Sequence, residues 1–149
     1  MSSQIKNDDF RCRHCRQIVS ANPILSGVQN RNHCPYCLWS RHLDLSRAGD
    51  RMSACKALMR PIGLTLKRAP KRYGAAYAGE LMLILECIEC GKVSLNRVAA
   101  DDFSESLFEV YQSSRKMAPF IRRQFAVEGI LTLRAADLSI VNARLFGRN

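Results

Sequence analysis

The middle of the chain alternates between apolar and polar positions with the period of a β-strand. Small or polar residues separate Ile62, Leu64 and Leu66, and an unbroken apolar run stands at Leu81–Leu85. Alternation predicts a half-buried strand, and a short apolar run bounded by turn residues predicts a strand of the core. We therefore expect a β-hairpin whose connection, roughly residues 67–79, forms an exposed tip rich in Lys, Arg, Tyr and Gly.

A helical period replaces this alternation after residue 102. Asp102 and Glu105 have the spacing of a capping box. An apolar stripe with helical spacing follows, formed by Leu107, Val110, Tyr111, Ser114 and Met117. A second helix is predicted from Pro119 to Val127 with Gly129 as its C-cap, and a third from about Ala135 to Phe146. The stripes are moderately apolar, which fits either packing on the rest of the chain or docking on a partner.

The N-terminal part of the chain has shorter periodic segments. Short strands fit near Phe10 and at Ile18–Val19, with turns around Asn22-Pro23. The stretch Leu38–Leu43 lacks Gly and Pro, so its propensities allow a short helix, and Trp39 within it is expected in the core. We divide the chain into a flexible lead-in at residues 1–9, a domain at residues 10–102 and a helical C-terminal extension at residues 103–149.

The composition is that of one basic globular domain. The chain has 149 residues, of which 47% are hydrophobic, and a formal net charge of +10. It has no run of about 18 apolar residues that could span a membrane, and its polar start is unlike a signal peptide, so we expect a cytoplasmic protein. Arginine outnumbers lysine, which favours phosphate recognition because one guanidinium can donate two parallel hydrogen bonds. The alternative interpretation is a solvated basic face.

Seven cysteines carry the most specific signal in the sequence. Six of them form the CxxC pairs Cys12/Cys15, Cys34/Cys37 and Cys87/Cys90, and the seventh is Cys55. Thiolates and neutral imidazoles are the ligands that tetrahedral zinc prefers, and a CxxC turn, here called a knuckle, brings two sulfurs to one ion. In a reducing compartment this pattern indicates metal binding instead of disulfides. We therefore expect two structural Zn²⁺ ions.

Two assignments of ligands to these ions are open. In the first, Cys12, Cys15, Cys34 and Cys37 bind one ion, and His42, Cys55, Cys87 and Cys90 bind the other. In the second, Cys34, Cys37, His42 and Cys55 form a local site, and the first and third knuckles share an ion. We favour the first because it closes the shorter loop, although loop entropy grows slowly with length. His14 and His33 are the other candidates for the eighth ligand.

No catalytic motif accompanies these ligands. The sequence lacks HExxH, a P-loop and the His-x-Glu of zinc nucleobase deaminases, and Pro35 follows Cys34 where a deaminase has proline before the cysteine. A catalytic zinc also keeps an open position beside a general base. We expect closed, structural sites and no enzymatic activity.

The segment around the second knuckle resembles a known bacterial family. Arg31-Asn32-His33-Cys34-Pro35 spells the name of the RNHCP domain family. The resemblance extends over about residues 10–102 and includes Tyr36–Ser40, His42, Gly49–Arg51, Cys55, Leu58-Met59-x-Pro61, Cys87-x-x-Cys90-Gly91, Asn96–Ala99 and Asp101–Asp102. Arg16 departs from the glycine that is common at this position of a zinc knuckle. The resemblance implies a zinc-bearing module and no particular activity.

These observations predict a small α+β zinc-binding fold with treble-clef-like or zinc-ribbon-like knuckles, a β-hairpin and a helical C-terminal extension. Small basic zinc modules with Arg and Lys loops suit folded RNA, so we expect an RNA-binding protein, with ribosomal RNA among its candidate ligands. The expected phosphate contacts are Arg13, Arg16, Arg31, Arg41, Lys67, Arg68, Lys71 and Arg72, and the expected stacking residues are Tyr36, Tyr73 and Tyr77. The alternatives are a protein-interaction adaptor that uses the C-terminal helices, and a DNA-binding regulator.

Overall fold

The computed structural model describes residues 9–27, 31–43, 52–67 and 79–147. Several predictions made from the sequence concern residues outside these ranges. They are the flexible lead-in up to residue 8, most of the hairpin tip, the phosphate contacts Arg68, Lys71 and Arg72, and the stacking residues Tyr73 and Tyr77.

The described strands form two antiparallel sheets. Strands β1 (Phe10–Arg11) and β2 (Ile18–Val19) pair across the first knuckle. The second sheet has the order β3-β4-β5-β6. Its members are β3 (Ser40–Arg41), β4 (Leu58–Lys67), β5 (Glu80–Cys87) and β6 (Val93–Arg97). The predicted hairpin is therefore confirmed as β4 and β5, whereas β6 was not predicted.

The short helix predicted at Leu38–Leu43 is wrong. Leu38 has a φ of 70°, in the left-handed region, and the chain then runs extended as β3. Ser40 pairs with Met59 and Arg41 pairs with Leu58, so strand β4 takes the backbone hydrogen bonds that a helix would have made internally. The helix that the treble-clef interpretation places after the second knuckle is thus absent from these described residues.

Four α-helices are present in the described part of the chain. They are α1 (Pro23–Ser26), α2 (Ser104–Ser114), α3 (Pro119–Val127) and α4 (Leu138–Phe146), the last preceded by a 3-10 helix at Ala135–Asp137. The predicted bounds of α3 are confirmed. Glu128 is its C-cap, and Gly129 follows with a φ of 85°, a value that glycine adopts without strain. None of the helices in the described segments is long and apolar enough to cross a membrane.

The C-terminal helices pack back on the second sheet. Leu107 and Tyr111 of α2 and Val141 of α4 are buried in one core with residues of β4 and β5 such as Leu64 and Leu83. Their burial is the main hydrophobic contribution to this contact. The predicted capping box at α2 is wrong, because α2 begins without a side-chain cap and Asp102 binds other groups.

Candidate metal centres and the adjoining basic surface

All three knuckles fold into the same turn. In each, the residue after the second cysteine donates its N–H to the carbonyl of the first cysteine. The bonds are Arg16 to Cys12 at 2.9 Å, Leu38 to Cys34 at 2.8 Å and Gly91 to Cys87 at 3.0 Å. The φ angles of these donors are 71°, 70° and 79°. This conformation is costly for a residue with a Cβ, so the turn imposes it on Arg16 and Leu38.

A second backbone hydrogen bond closes each knuckle. The N–H of the first cysteine donates to the carbonyl of the residue five positions later, which is Gln17, Trp39 or Lys92, at 2.8 to 2.9 Å. Further N–H groups point at the sulfurs. Tyr36 N lies 3.4 Å from Cys34 Sγ, and His14 N lies 3.3 Å from Cys12 Sγ. Donors of this kind favour the thiolate, which is the form that binds metal.

The first and second knuckles face each other and form the first candidate metal centre. Its ligand atoms are the Sγ atoms of Cys12, Cys15, Cys34 and Cys37, which all lie within 4.8 Å of one another. Cys12 and Cys37 are 3.6 Å apart, as are Cys15 and Cys34. A tetrahedron with metal–sulfur bonds of about 2.3 Å has edges of about 3.8 Å. The four sulfurs could therefore hold a metal ion with little movement.

The second candidate metal centre lies at one end of the second sheet. His42 follows β3, Cys55 precedes β4, and Cys87 and Cys90 form the knuckle that ends β5. Because neighbouring strands are antiparallel, these points meet at the same end of the sheet. The segments before β4 and after β3 are also joined directly, since His42 N donates to the carbonyl of Ala57 at 2.8 Å.

The donor atoms of the second centre also converge. The Sγ atoms of Cys55 and Cys87 are 3.6 Å apart, and His42 Nδ1 lies 3.4 Å from Cys90 Sγ. The other ring nitrogen of His42, Nε2, is buried and has no hydrogen-bond partner among the described residues. This centre is more open than the first, because Cys55 and Cys90 are exposed whereas Cys12 and Cys34 are buried.

The structure therefore assembles the eight predicted ligands in the grouping that the sequence favoured. The alternative local site is not formed, because Cys34 and Cys37 face Cys12 and Cys15. His14 and His33 lie outside both groups, and His42 occupies the eighth position. Each group could hold one metal ion.

One thiol in each group has a pKa below its ordinary value. The hydrogen bond with Cys37 lowers the pKa of Cys34 to about 5 against the opposing effect of burial, and the same contact raises the pKa of Cys37. Burial opposes ionisation of Cys87, but the backbone N–H groups of Cys90 and Glu89 outweigh it and the pKa of Cys87 falls to about 6. A thiolate at neutral pH in each cluster fits a site for a cation.

Arg31, predicted to contact phosphate, is buried and binds carboxylates of its own chain. Arg31 is 3% exposed. Its guanidinium nitrogens lie 2.8 Å from Oδ1 of Asp101 and 3.1 Å from Oδ1 of Asp102. Its Nε also donates to the carbonyl of His33 at 3.1 Å. The prediction of a surface role for Arg31 is wrong, because these carboxylates hold the side chain in the interior.

His33 belongs to the same buried network. Its Nε2 lies 2.7 Å from Asp102 Oδ2, and its Nδ1 lies 3.1 Å from Asn96 Nδ2. A carboxylate only accepts, so Nε2 donates to Asp102 and Nδ1 accepts from the amide of Asn96. The signal of this network in the sequence is weak. It consists of the opposite charges of Arg31 and Asp101–Asp102, which stand in two separate motifs.

A stack of two rings lies on the surface of the first metal centre. The rings of His14 and Trp39 are parallel within 4°, and their centroids are 4.0 Å apart. His14 is exposed and Trp39 is half-buried, so the expectation of Trp39 in the core is wrong. The two knuckles determine where both rings lie. His14 stands between Cys12 and Cys15, and the backbone carbonyl of Trp39 accepts the hydrogen bond that closes the second knuckle.

Two arginines lie close to this stack in the chain. Arg13 precedes His14, and Arg41 lies two residues after Trp39, on the same side of an extended segment. Burial, and after it repulsion from Arg13, lowers the pKa of Arg41. Arg41 Nε donates to the carbonyl of Lys56. The ion pairs among the described residues involve neither arginine.

The other predicted nucleic-acid contacts among the described residues lie away from the stack of His14 and Trp39. Arg16 is exposed at the end of the first knuckle. Tyr36 is exposed and meets the ring of Phe103 edge-on, with centroids 5.2 Å apart. Lys67 is exposed at the end of β4, whereas Arg41 pairs with Leu58 at its start, so roughly 30 Å of strand separates the two cations. The structure thus brings together Arg13 and Arg41 and not Lys67.

Comparison with known proteins gives one finding. The family model described as the RNHCP domain matches residues 7–108, about two thirds of the chain. The matched region contains both metal centres, the buried network and the first turn of α2. Comparisons with the curated proteins and with the solved structures give no match.

Proposed function

The chain belongs to the RNHCP domain family, and we propose that it is a nucleic-acid-binding protein, with RNA as its ligand, whose binding surface is held in place by two structural zinc ions. Ribosomal RNA is one candidate ligand. The proposal has two parts, the metal and the surface beside it.

Zinc fits both metal centres by the chemistry of their donors. Four thiolates form one set, and three thiolates with one imidazole form the other. Soft donors in groups of four are typical of structural zinc, with no position left for a reacting water. Zinc in such a site links chain segments and carries no reaction, so the proposal includes no enzymatic activity. The knuckles and the antiparallel sheet support the proposal of a zinc-ribbon-like module.

Native mass spectrometry tests the metal. We expect two zinc ions per chain, and Co²⁺ substitution should give the absorption spectrum of tetrahedral thiolate coordination. A single ion, or an octahedral cobalt spectrum with exchangeable water, would contradict two closed sites.

The observation that carries the RNA proposal is a pair of cations beside the first metal centre, Arg13 and Arg41, which repel each other and make no ion pair within the described segments. Holding two like charges together lowers stability unless an anion lies close to both. Two other surface arginines do have carboxylate partners, Arg60 with Glu86 and Arg97 with Glu80. A phosphate would supply the missing charge, and guanidinium groups bind phosphate well.

Affinity for RNA as a function of salt tests this surface. Each phosphate contact to a single strand contributes about 0.7 to the slope of log affinity against log salt. The double variant Arg13→Gln/Arg41→Gln should therefore lower the slope by about 1.4. The matched control is Arg60→Gln/Arg97→Gln, which removes the same charge from exposed, paired positions. Equal effects of the two double variants would contradict the proposal, and stronger binding of duplex DNA would make the protein a DNA binder.

A second candidate, a protein-interaction adaptor, is favoured by the exposed apolar residues on and after α3. Phe120 is 56% exposed, Val127 88% and Leu131 68%. Deletion of residues 103–149 would not test this role, because it also removes Leu107, Tyr111 and Val141 from the core. The triple variant Phe120→Ser/Val127→Ser/Leu131→Ser leaves the core in place. It should abolish binding of a protein partner and leave RNA affinity unchanged, and unchanged partner binding would exclude α3 as the interface.

A further inference from the structure

We infer that the surface formed by Arg13, His14, Trp39 and Arg41, named here the stacking surface, binds unpaired nucleotides of single-stranded RNA, with a base stacked on the outer face of His14. The inference rests on the proposed function and specifies the form of nucleic acid that this surface recognises.

The His14 ring has one covered face and one open face. Trp39 covers the inner face at 4.0 Å with the planes parallel, and His14 as a whole is exposed, so the outer face meets solvent. The His14 ring makes no hydrogen bond to the described residues and does not belong to either metal centre. A base placed on the outer face would extend the stack from two rings to three.

Each ring of the stack has an arginine within two residues of it along the chain. Arg13 is adjacent to His14 in the chain, Arg41 is two residues from Trp39, and the two arginines are close enough for Arg13 to contribute to lowering the pKa of Arg41, after burial. A base on His14 therefore carries its phosphates toward two guanidinium groups that have no carboxylate partner among the described residues. Stacking platforms next to positive charge are the general means by which proteins bind single strands.

Base pairing would block this contact. In a duplex both faces of each base are covered by neighbouring bases, so a flat ring on a protein reaches only bases that are unpaired or splayed out. The stacking surface therefore favours single strands over duplexes. Cations alone would not make this distinction, since duplexes and single strands both present phosphates.

The first metal centre should hold the rings of His14 and Trp39 in place before RNA binds. His14 lies inside the first knuckle, and Trp39 closes the second, so the two rings meet because the four cysteines converge. A rigid site loses less conformational entropy on binding than one that must assemble. Affinity should accordingly fall when the metal of the first centre is removed.

Trp39 fluorescence provides a direct readout, because it is the single tryptophan of the chain. The zinc-loaded full-length protein is titrated with a short oligouridylate, a short oligoadenylate and an RNA duplex of equal length. We expect the single strands to quench or shift the Trp39 emission and to bind more tightly than the duplex. Equal affinity for all three, with no change in emission, would overturn the inference.

Substitution of His14 separates stacking from charge. His14→Ala should weaken binding of the single strands by about 5- to 150-fold, which is the range for loss of one stacked base. His14→Phe keeps a flat ring and should restore most of the affinity. The control Phe120→Ala removes an exposed aromatic ring from α3 and should have no effect. Native mass spectrometry confirms two metal ions in each variant before it is assayed.

The outcomes distinguish this inference from the proposed function. If His14→Ala binds like the unchanged protein while Arg13→Gln/Arg41→Gln binds weakly, the protein binds RNA through charge and the stacking inference fails. If the unchanged protein shows no salt-dependent binding to any RNA, both the proposed function and the inference fail. Weakening by His14→Ala with rescue by His14→Phe supports both.

Discussion

His33 and Asp102 share a hydrogen bond of 2.7 Å although 69 positions separate them in the chain, and the side chains are 2% and 0% exposed. Asp102 also binds the guanidinium of Arg31 and the backbone N–H of Ala99. One carboxylate thereby joins the segment that enters the second knuckle to the segment between β6 and α2. The first metal centre is fixed against the second sheet through this buried charge.

Asp102→Asn should strongly destabilise the protein. The substitution leaves Arg31 buried with one carboxylate fewer and replaces one acceptor oxygen by a donating NH2 group, so the donors of Arg31, His33 and Ala99 can no longer all be satisfied. Breaking a buried ion pair from one side typically lowers the free energy of unfolding by about 3–5 kcal/mol. The measurement is denaturant unfolding of the zinc-loaded protein. Glu86→Gln is the control, since its pair with Arg60 is largely exposed and contributes about 0–1 kcal/mol. Equal stability changes in the two variants would show that the network has little effect on folding.

Substitution of His42 by alanine should reduce the number of bound metal ions by one. His42 is the single nitrogen donor of the second centre, and the three thiolates that remain, Cys55 and the pair of the third knuckle, bind zinc less tightly than four donors. We expect one zinc per chain for His42→Ala and two for His14→Ala, which changes an exposed histidine outside both centres. Native mass spectrometry counts the ions. Two ions in His42→Ala would mean that another residue supplies the eighth ligand.

Acidification should release the metal of the second centre before that of the first. The pKa of Cys87 is about 6 and that of Cys34 about 5, both below the ordinary thiol value of 9.0. A thiol with a depressed pKa contributes to stability and metal binding at higher pH, and this contribution is lost as pH falls through its folded pKa. Both centres should therefore lose metal as pH falls, and the second should lose it first because Cys55 and Cys90 are exposed to protons, whereas no cysteine of the first centre is exposed.

A chromophoric chelator monitors this release during a pH titration. We expect two steps, with the higher-pH step missing from His42→Ala because that variant holds only the first ion. A single step for the unchanged protein, or loss of the lower-pH step in the variant, would contradict the predicted order.

Arg16→Gly should give a more stable protein than Arg16→Ala. Arg16 has a φ of 71°, and Gly91 holds the equivalent position of the third knuckle with a φ of 79°. Alanine retains the steric cost of the left-handed conformation, which is about 1–2 kcal/mol, while glycine avoids it. Both variants remove the same charge, so their affinities for RNA should be equal. Thermal unfolding of the zinc-loaded variants measures the difference, and an advantage of alanine would indicate that the knuckle relaxes.

Local features of the fold were the ones that could be predicted from sequence. Pro119 and the glycine after Glu128 determine the ends of α3, and the apolar runs determine the hairpin of β4 and β5. The helix predicted at Leu38–Leu43 is wrong because helix propensity there is weak and pairing with β4 overrides it. The surface position predicted for Arg31 is wrong because sequence alone does not distinguish a charge on the surface from one that binds a carboxylate 70 residues away.

The sequence by itself determined the knuckles, since a CxxC turn depends on hydrogen bonds within six residues, and it determined which eight side chains could serve as ligands. Only the tertiary structure decided which knuckles share a centre. Loop entropy distinguishes the two groupings weakly, whereas the antiparallel order of β3, β4 and β5 places His42, Cys55 and the third knuckle at one end of the sheet. Tertiary packing likewise placed Arg13 and Arg41 together and Arg31 inside, because burial and charge pairing arise from residues distant in the chain.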